Sequence, residues 1–425
     1  MAALVLIVLP LVLICFGVPI YVGLLAAASI GIVALGIGSM EPVHLALFGG
    51  LDSYPLLAVP LFIFAGEIMG RGGLARRLVE FVLSIVGGVR GSLALATIMS
   101  AEMFGSMSGS SIGCVAAIGR LMLPELNRRG YSRVFSGSLI ASSGAIATII
   151  PPSITMILYG VAAQQSVPKL FLAGIVPGLL IGMLVAVYVL IYARIHIVPL
   201  SDPARWKDIL ATGRDAIWAL LAPIVILGGI YGGICTPTEA AGIACVYAVV
   251  VARFIYREMS WGDVWSVAID SVRVISQILI IVSAAGAYAW LITTSGFPAK
   301  LVAMIDALHL APWLLLLIIN IALLVVGSVL EPPAAILVLT PLLLPVVIQA
   351  GVDPLHFGII FTVNLAIGMF IPPFGLNLFA THVLFDIPLS TLYAGVTPFI
   401  ALYLIALGLI TYVPWITLSI LHIWG

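Results

Sequence analysis

Seven residues, GSMSGSS at 105–111, put four serines and two glycines, and no charge, inside an apolar stretch. Hydroxyl and main-chain oxygens at that density suit a hard cation such as Na+. A transition metal would want imidazole or thiolate, so no transition-metal site is expected. Two proline pairs, Pro151-Pro152 and Pro372-Pro373, interrupt other long apolar runs. Each removes backbone donors and frees the carbonyls ahead of it. Gly144 and Thr148 precede the first pair, and Asn364 and Gly368 the second, giving two more oxygen-rich breaks. Half-helices that restart after such turns aim their N-termini inward, which favours a carboxylate. The chemistry on offer is the joint binding of a cation and an organic anion.

The elements that must position these residues are membrane helices. Of 425 residues, 63% are hydrophobic and only 8% charged, with a mean hydropathy of +1.29. A soluble domain carries about a quarter charged residues. Apolar runs of roughly 18 residues or more recur, each long enough to cross hydrocarbon as a helix. The fold class is therefore an all-α polytopic membrane protein, without the short alternating segments of a barrel. The opening MAALVLIVLPLVLICFGVPI lacks a basic leader and a cleavage site and reads as the first span. Cys15, Cys114, Cys235 and Cys245 have no CxxC spacing and read as small buried hydrophobes.

Arginines and lysines set the sidedness. Arg71, Arg76, Arg77 and Arg90 form one group, Arg120, Arg128, Arg129 and Arg133 a second. Arg194, Arg205, Lys207 and Arg214 form a third, and Arg253, Arg257 and Arg273 a fourth; only Lys169 and Lys300 lie elsewhere. With the four groups cytoplasmic, the split follows the positive-inside rule. Arg90 and the Arg120 group then share a side, although mostly apolar chain separates them. A re-entrant hairpin, down through 92–105 and back through 112–126, satisfies this, with GSMSGSS as its turn. Backbone exposed at that depth is tolerated only where it is buried in protein or lines a cavity.

The chain repeats itself. A shift of 221 residues carries IIPPS at 149–153 onto FIPPF at 370–374, Leu123-Pro124 onto Leu344-Pro345, and AGIVP at 173–177 onto AGVTP at 394–398. VPIYVGLLAAAS from Val18 likewise parallels TPTEAAGIACVY from Thr236. Two halves follow, 1–200 and 215–425, joined by a cytoplasmic linker at 201–214. The second hairpin, GSVLEPPAAI at 327–336, has few basic flanks and should open on the opposite side, which makes the repeat inverted. About ten spans and two hairpins are expected, with both termini on the outer face. GGLARRLVEFVLSIVGGVRG and MSWGDVWSVAIDSVRV read as amphipathic arm helices preceding the hairpins, with Trp261 and Trp265 at headgroup level.

Ligands on the first hairpin are expected from Ser106, Ser108, Ser110 and Ser111, and on the second from Gly327, Ser328 and the Glu331-Pro332-Pro333 turn. Glu331 could also act as a helix cap. Glu67 and Glu102 fall in apolar segments and could reach an interface or pair with an arginine; Glu239 reads as an N-terminal helix carboxylate. No GxxxxGK[ST] loop is present, so coupling to an ion gradient or a partner must supply the energy. An intramembrane enzyme would need a catalytic pair at depth. His382 and Asp386 are four residues apart, but no nucleophile motif accompanies them.

GSMSGSSIGCVAAIG, ASSGAIATIIPPSITMILYG, GGICTPTEAAGIACVYA, EPPAAILVLTPLLLPV and NLAIGMFIPPFGLNLF stand in an order that resembles the large membrane subunit of tripartite ATP-independent periplasmic (TRAP) transporters. The resemblance covers essentially the whole chain. It implies an elevator-type secondary transporter in a bacterial inner membrane. A carboxylate-bearing solute, such as a C4-dicarboxylate or sialic acid, is delivered by a periplasmic binding protein, and a small four-helix subunit braces the large one. By that likeness one Na+ lies at Ser106, Ser108, Gly109, Ser110 and Ser111 with Gly144, Thr148 and Pro151. A second lies at Gly327, Ser328, Glu331 and Pro332 with Asn364, Gly368 and Pro372. Solute sits between the tips, at Ser110, Ser111, Pro152, Pro333, Pro373 and Asn377. The alternative is a stand-alone Na+- or H+-coupled anion symporter needing no binding protein.

Overall fold

The computed structural model describes residues 6, 8–37, 40–200 and 203–424; residues 1–5 and 7 of the expected first span, and 201–202 of the linker, lie outside them. The described chain is helical throughout. Its first half holds α1 (Leu9–Cys15), α2 (Ile20–Leu35), α3 (Glu41–Gly49), α4 (Ala58–Arg71), α5 (Leu74–Ile85), α6 (Ser92–Ser108), α7 (Ser111–Arg128), α8 (Arg133–Ile146), α9 (Ile154–Ala162) and α10 (Val167–Ile195). The second holds α11 (Trp206–Tyr231), α12 (Pro237–Val250), α13 (Trp261–Thr294), α14 (Phe297–Asp306), α15 (Pro312–Val329), α16 (Pro332–Gln349), α17 (Pro354–Gly368), α18 (Leu376–Phe385), α19 (Leu389–Tyr412) and α20 (Trp415–Trp424). The expected linker is helical from Trp206 onward and forms the start of α11.

Proline marks many of the starts. Pro237, Pro298, Pro312, Pro332 and Pro354 occupy the first turns of their helices, where the missing N–H has no intrahelical partner to lose. Pro124, Pro177, Pro223, Pro341, Pro345 and Pro398 sit inside helices, which packed membrane helices tolerate. Thr236 and Glu239 form a reciprocal cap on α12, as the sequence led one to expect of Glu239.

Both hairpins and both breaks are present. The helix pair α6/α7 and the pair α15/α16 each turn over two residues; α8/α9 and α17/α18 are separated by 147–153 and 369–375. The proline pairs within these breaks are both cis. Eight helices among the described residues are long and apolar enough to span a bilayer, α15 and α16 among them. Length alone therefore does not separate a re-entrant arm from a crossing.

The arm assignment needs one correction. Helix α5 is amphipathic, burying Leu74, Ala75, Leu78, Val79 and Val82. Its partner at the 221-residue shift is α14, not MSWGDVWSVAIDSVRV. That segment is the first part of the unbroken 34-residue α13, about 51 Å long at 1.5 Å per residue. Nothing stops the helix between the polar turns and the apolar ones: Gly286 lies in a close helix contact with Gly50 instead of a break. Trp261 and Trp265 are exposed on it.

Packing groups the elements around the site. Helix α13 lies against α2, α3, α4 and α16, and α4 against α12 and α6. The first hairpin packs on α8, and α18 on both α7 and α8.

Candidate functional site

The non-helical part of the first tip is shorter than GSMSGSS. Residues 105–108 complete α6, and only Gly109 and Ser110 leave the helix. Gly109 adopts φ +60°, and a Cβ there would come within 2.5 Å of the Pro152 carbonyl oxygen. Both constraints select glycine. Ser110 then caps α7, its Oγ accepting the Gly113 N–H at 3.2 Å.

This tip is fitted onto the first break. Gly105 abuts Ala147, and a Cβ on Gly144 would approach the Ser111 carbonyl at 3.1 Å. Ser111 Oγ donates to Asn377 Oδ1 at 2.9 Å, and Asn377 Nδ2 donates to the Ala141 carbonyl at 2.8 Å. Asn377 is thus a strut between hairpin and break. Three expected ligands already spend their hydroxyl protons locally: Ser106 on Met103, Thr148 on Ala145 and Ser111 on Asn377. Their oxygens remain free to accept or coordinate. Ser108 Oγ and Ser143 Oγ are buried with no partner. Sequence reasoning passed over Ser143, although it adjoins Gly144.

The second tip turns on Leu330 and Glu331, and α16 begins at Pro332. Glu331 accepts no capping bond, so its expected role as a side-chain cap fails. The reason is local: prolines at 332 and 333 leave fewer N–H groups for it to reach. Gly327 meets Gly368 so closely that a Cβ on the latter would lie 2.3 Å from the Gly327 carbonyl oxygen. Beside them Asn364 donates through Nδ2 to Asn320 Oδ1 and to the Ile360 carbonyl, both at 2.8 Å. Its Oδ1 is buried and unpartnered. Ser328, half-buried, donates to Val325.

One cavity of about 400 Å³ joins these features. Ser108 to Ser111 line it from the first tip and Glu331, Pro332 and Pro333 from the second; Thr148, Thr155, Met369 and Leu376 border it from the breaks. The first turns of α7, α9, α16 and α18 all reach it. Of the expected residues, Ser106, Gly144, Pro151, Pro152, Gly327, Ser328, Asn364, Gly368, Pro372, Pro373 and Asn377 are not part of this lining. Glu67 and Arg71 of α4, Arg120 of α7 and Gln277 of α13 complete it. The last three were not anticipated. Glu67 pairs with Arg71 at 3.2 Å, and Arg71 with Asp270 at 3.0 Å. Glu102 is elsewhere, its carboxylate laid over Gly182 of α10. His382 binds the Ile387 carbonyl at 2.8 Å through Nδ1, not Asp386. Among the described residues Cys114, Cys235 and Cys245 are free thiols.

Paired hairpins and broken helices around one cavity define a membrane transporter. The fold matches the Alcanivorax borkumensis YdaH transporter at a TM-score of 0.64 and 15% identity, covering 89% of each chain. Neisseria gonorrhoeae MtrF, an antimetabolite efflux pump, follows at 0.56 and 14%, covering 88% of this chain and 83% of that one. The particular family comes from sequence. Residues 7–416 match the model for the DctM component of the tripartite ATP-independent periplasmic transporters, and the chain belongs to that family. A C4-dicarboxylate large permease protein of Pseudomonas aeruginosa is 38% identical, over 90% of each chain. An isethionate permease of Oleidesulfovibrio alaskensis, DctMQ, is 41% identical over 94% of this chain and 63% of its own. An ectoine/5-hydroxyectoine large permease of Ruegeria pomeroyi is 38% identical over 93% and 92%. The chain is a transporter permease subunit and not an enzyme.

Proposed function

We propose that this subunit carries out Na+-coupled uptake of a small organic anion across a bacterial inner membrane by an elevator movement of its hairpins and broken helices. The observation that carries the reading is the shared cavity: two tips and four half-helix starts converge on it. Converging N–H groups and dipole ends favour an anion. The unpartnered Ser108 Oγ, Ser143 Oγ and Asn364 Oδ1 offer hard oxygens for Na+ behind each tip. Relatives named for a C4-dicarboxylate, isethionate and ectoine all act on small solutes bearing a carboxylate or sulfonate. Arg71 and Arg120 line the cavity and belong to the arginine groups assigned to the cytoplasm, which supports reading its mouth as the cytoplasmic one.

A periplasmic binding protein delivers the solute, and a small membrane subunit stands beside this one; in the relative named DctMQ the two membrane parts share a chain. Reconstitution tests this. Uptake into proteoliposomes should require an inward Na+ gradient and all three components, and K+ should not replace Na+. Uptake by this chain alone would favour the stand-alone symporter. Uptake indifferent to Na+ would remove the coupling.

A further inference from the structure

The cavity extends from the tips along two helix faces. Ile112, Gly113, Ala116 and Ala117 line it from α7, and Ile63, Gly66 and Gly70 from α4. These spacings of three and four keep each set on one face. Small residues make up most of these two faces, and the Phe104 ring lines the cavity beside them, 3.4 Å from where a Cβ on Gly70 would lie. A Cβ on Gly70 would lie 3.7 Å from that of Ala117, which puts the two faces side by side.

The charges along this track are not equivalent. Arg71 is held between Glu67 at 3.2 Å and Asp270 at 3.0 Å. Its charge is offset twice over, and its donors are engaged. Glu331 is at the far end, on the second tip. Arg120 is exposed and forms no ion pair among the described residues. It stands nine residues beyond Ser111 on α7, about 13.5 Å from the tip at 1.5 Å per residue. Helical side chains lean toward the N-terminus, so the stem of Arg120 leans toward the turn that carries Ala116, on the side of the tip. A guanidinium there offers a planar fork that fits a carboxylate or sulfonate.

We infer that Arg120 is the anion-selecting residue of the cavity, drawing a carboxylate or sulfonate along the α7 face between the tips and the cytoplasmic mouth. This rests on the cavity being the solute path. A free cation in a cleft with low-dielectric walls raises the local concentration of anions and lowers that of cations.

The test needs no knowledge of the solute. In a full-length chain whose native cysteines are replaced by serine, Ala116→Cys puts a thiol one turn from residue 120. Its labelling rate from the cytoplasmic side is measured with two methanethiosulfonates, one carrying a sulfonate and one a trimethylammonium. Arg120→Gln should lower the anionic-to-cationic rate ratio about fivefold, and Arg120→Lys should hold it within about twofold. The effect should shrink at high salt. An unchanged ratio in Arg120→Gln, with the thiol still labelled, overturns the role of Arg120 and leaves the cavity reading intact. A thiol that neither reagent reaches overturns the path and the inference with it. Arg120 is exposed, so Arg120→Gln should fold; a monodisperse elution profile checks that.

Discussion

The first hairpin turns on Gly109 and the second on Glu331 followed by two prolines, and their surroundings differ as much as the turns. The first break, 147–153, is buried throughout. In the second, Pro373 and Phe374 are exposed. Hairpin 1 is stitched to its neighbours by Gly105 on Ala147, Gly109 on Pro152 and Ser111 on Asn377. Hairpin 2 has a close backbone approach at its glycine, Gly327 on Gly368. One device has thus been made twice, once by a residue that permits an unusual backbone and once by residues that forbid helix. The glycine version demands an exact fit. The proline version stiffens the tip and leaves it room.

The largest expected effect breaks this contrast directly. Gly109→Val combines a side chain at φ +60° with a contact against the Pro152 oxygen, neither of which can relax by a rotamer change. Strain of about 3 kcal/mol or more follows, and uptake in proteoliposomes should fall more than about a hundredfold. Pro333→Ala should stay within about threefold, because α16 can begin without a second proline. Gly130→Ala is the control: its φ is +85°, but nothing lies within 4 Å of a new Cβ. Equal losses in all three variants would mean that turn geometry, not fit, sets the sensitivity.

A smaller effect separates the two cation sites. Asn364→Ala removes the unpartnered Oδ1 and also breaks the bond to Asn320. Loss of one ligand to a charged group is worth about 1.5–3 kcal/mol, so the half-saturating Na+ concentration should rise about tenfold or more. Ser108→Ala deletes one hydroxyl among several neighbouring oxygens and should raise it only about threefold. If Asn364→Ala instead lowers thermal stability with Na+ dependence unchanged, the Asn320–Asn364 pair is structural and the second site lies elsewhere.

Much of this was legible in the sequence because the signals are backbone signals. Proline pairs and a glycine-serine step mark where a helix starts or stops, and arginines cannot be placed at random around a bilayer. Their spacing therefore gave both helix–turn–helix pairs and both breaks. What it could not give were relations across the fold. Asn377 was expected to touch solute, yet it braces Ser111 against Ala141, a contact 266 residues apart in the chain that no local pattern records. Arg71 and Arg120 were absorbed into the count of cytoplasmic charges, so their place in the cavity went unread. The second arm was misassigned for a related reason. An amphipathic stretch shows that a helix begins, and only packing shows that α13 continues into the next span unbroken.

The arms supply the smallest and most specific test. Helix α5, leading into the first hairpin, buries one face and is tied by its arginines to the loop before α13. Arg76 and Arg77 each place a guanidinium nitrogen 2.5 Å from Glu258 Oε1, and Arg77 also stacks 3.7 Å over the Tyr256 ring. Helix α14, leading into the second hairpin, buries no residue and has no ion pair among the described residues. Partial burial opposes ionisation of Glu258, but the bonds from Arg77 and Arg76 outweigh it and hold the carboxyl below the usual glutamate range. A group with a depressed native pKa stabilises the fold fully above its unfolded pKa and loses that contribution as pH falls through its native one. Glu258→Gln should therefore cost about 1 kcal/mol at neutral pH, a fall of about 2–4 °C in melting temperature. The gap should be flat from pH 8 to 6 and close below the ordinary value of 4.5. Lys300→Gln on α14 should do nothing at any pH. A gap that persists into acid would assign the role to packing around Tyr256, and the two arms would then differ in buried surface alone.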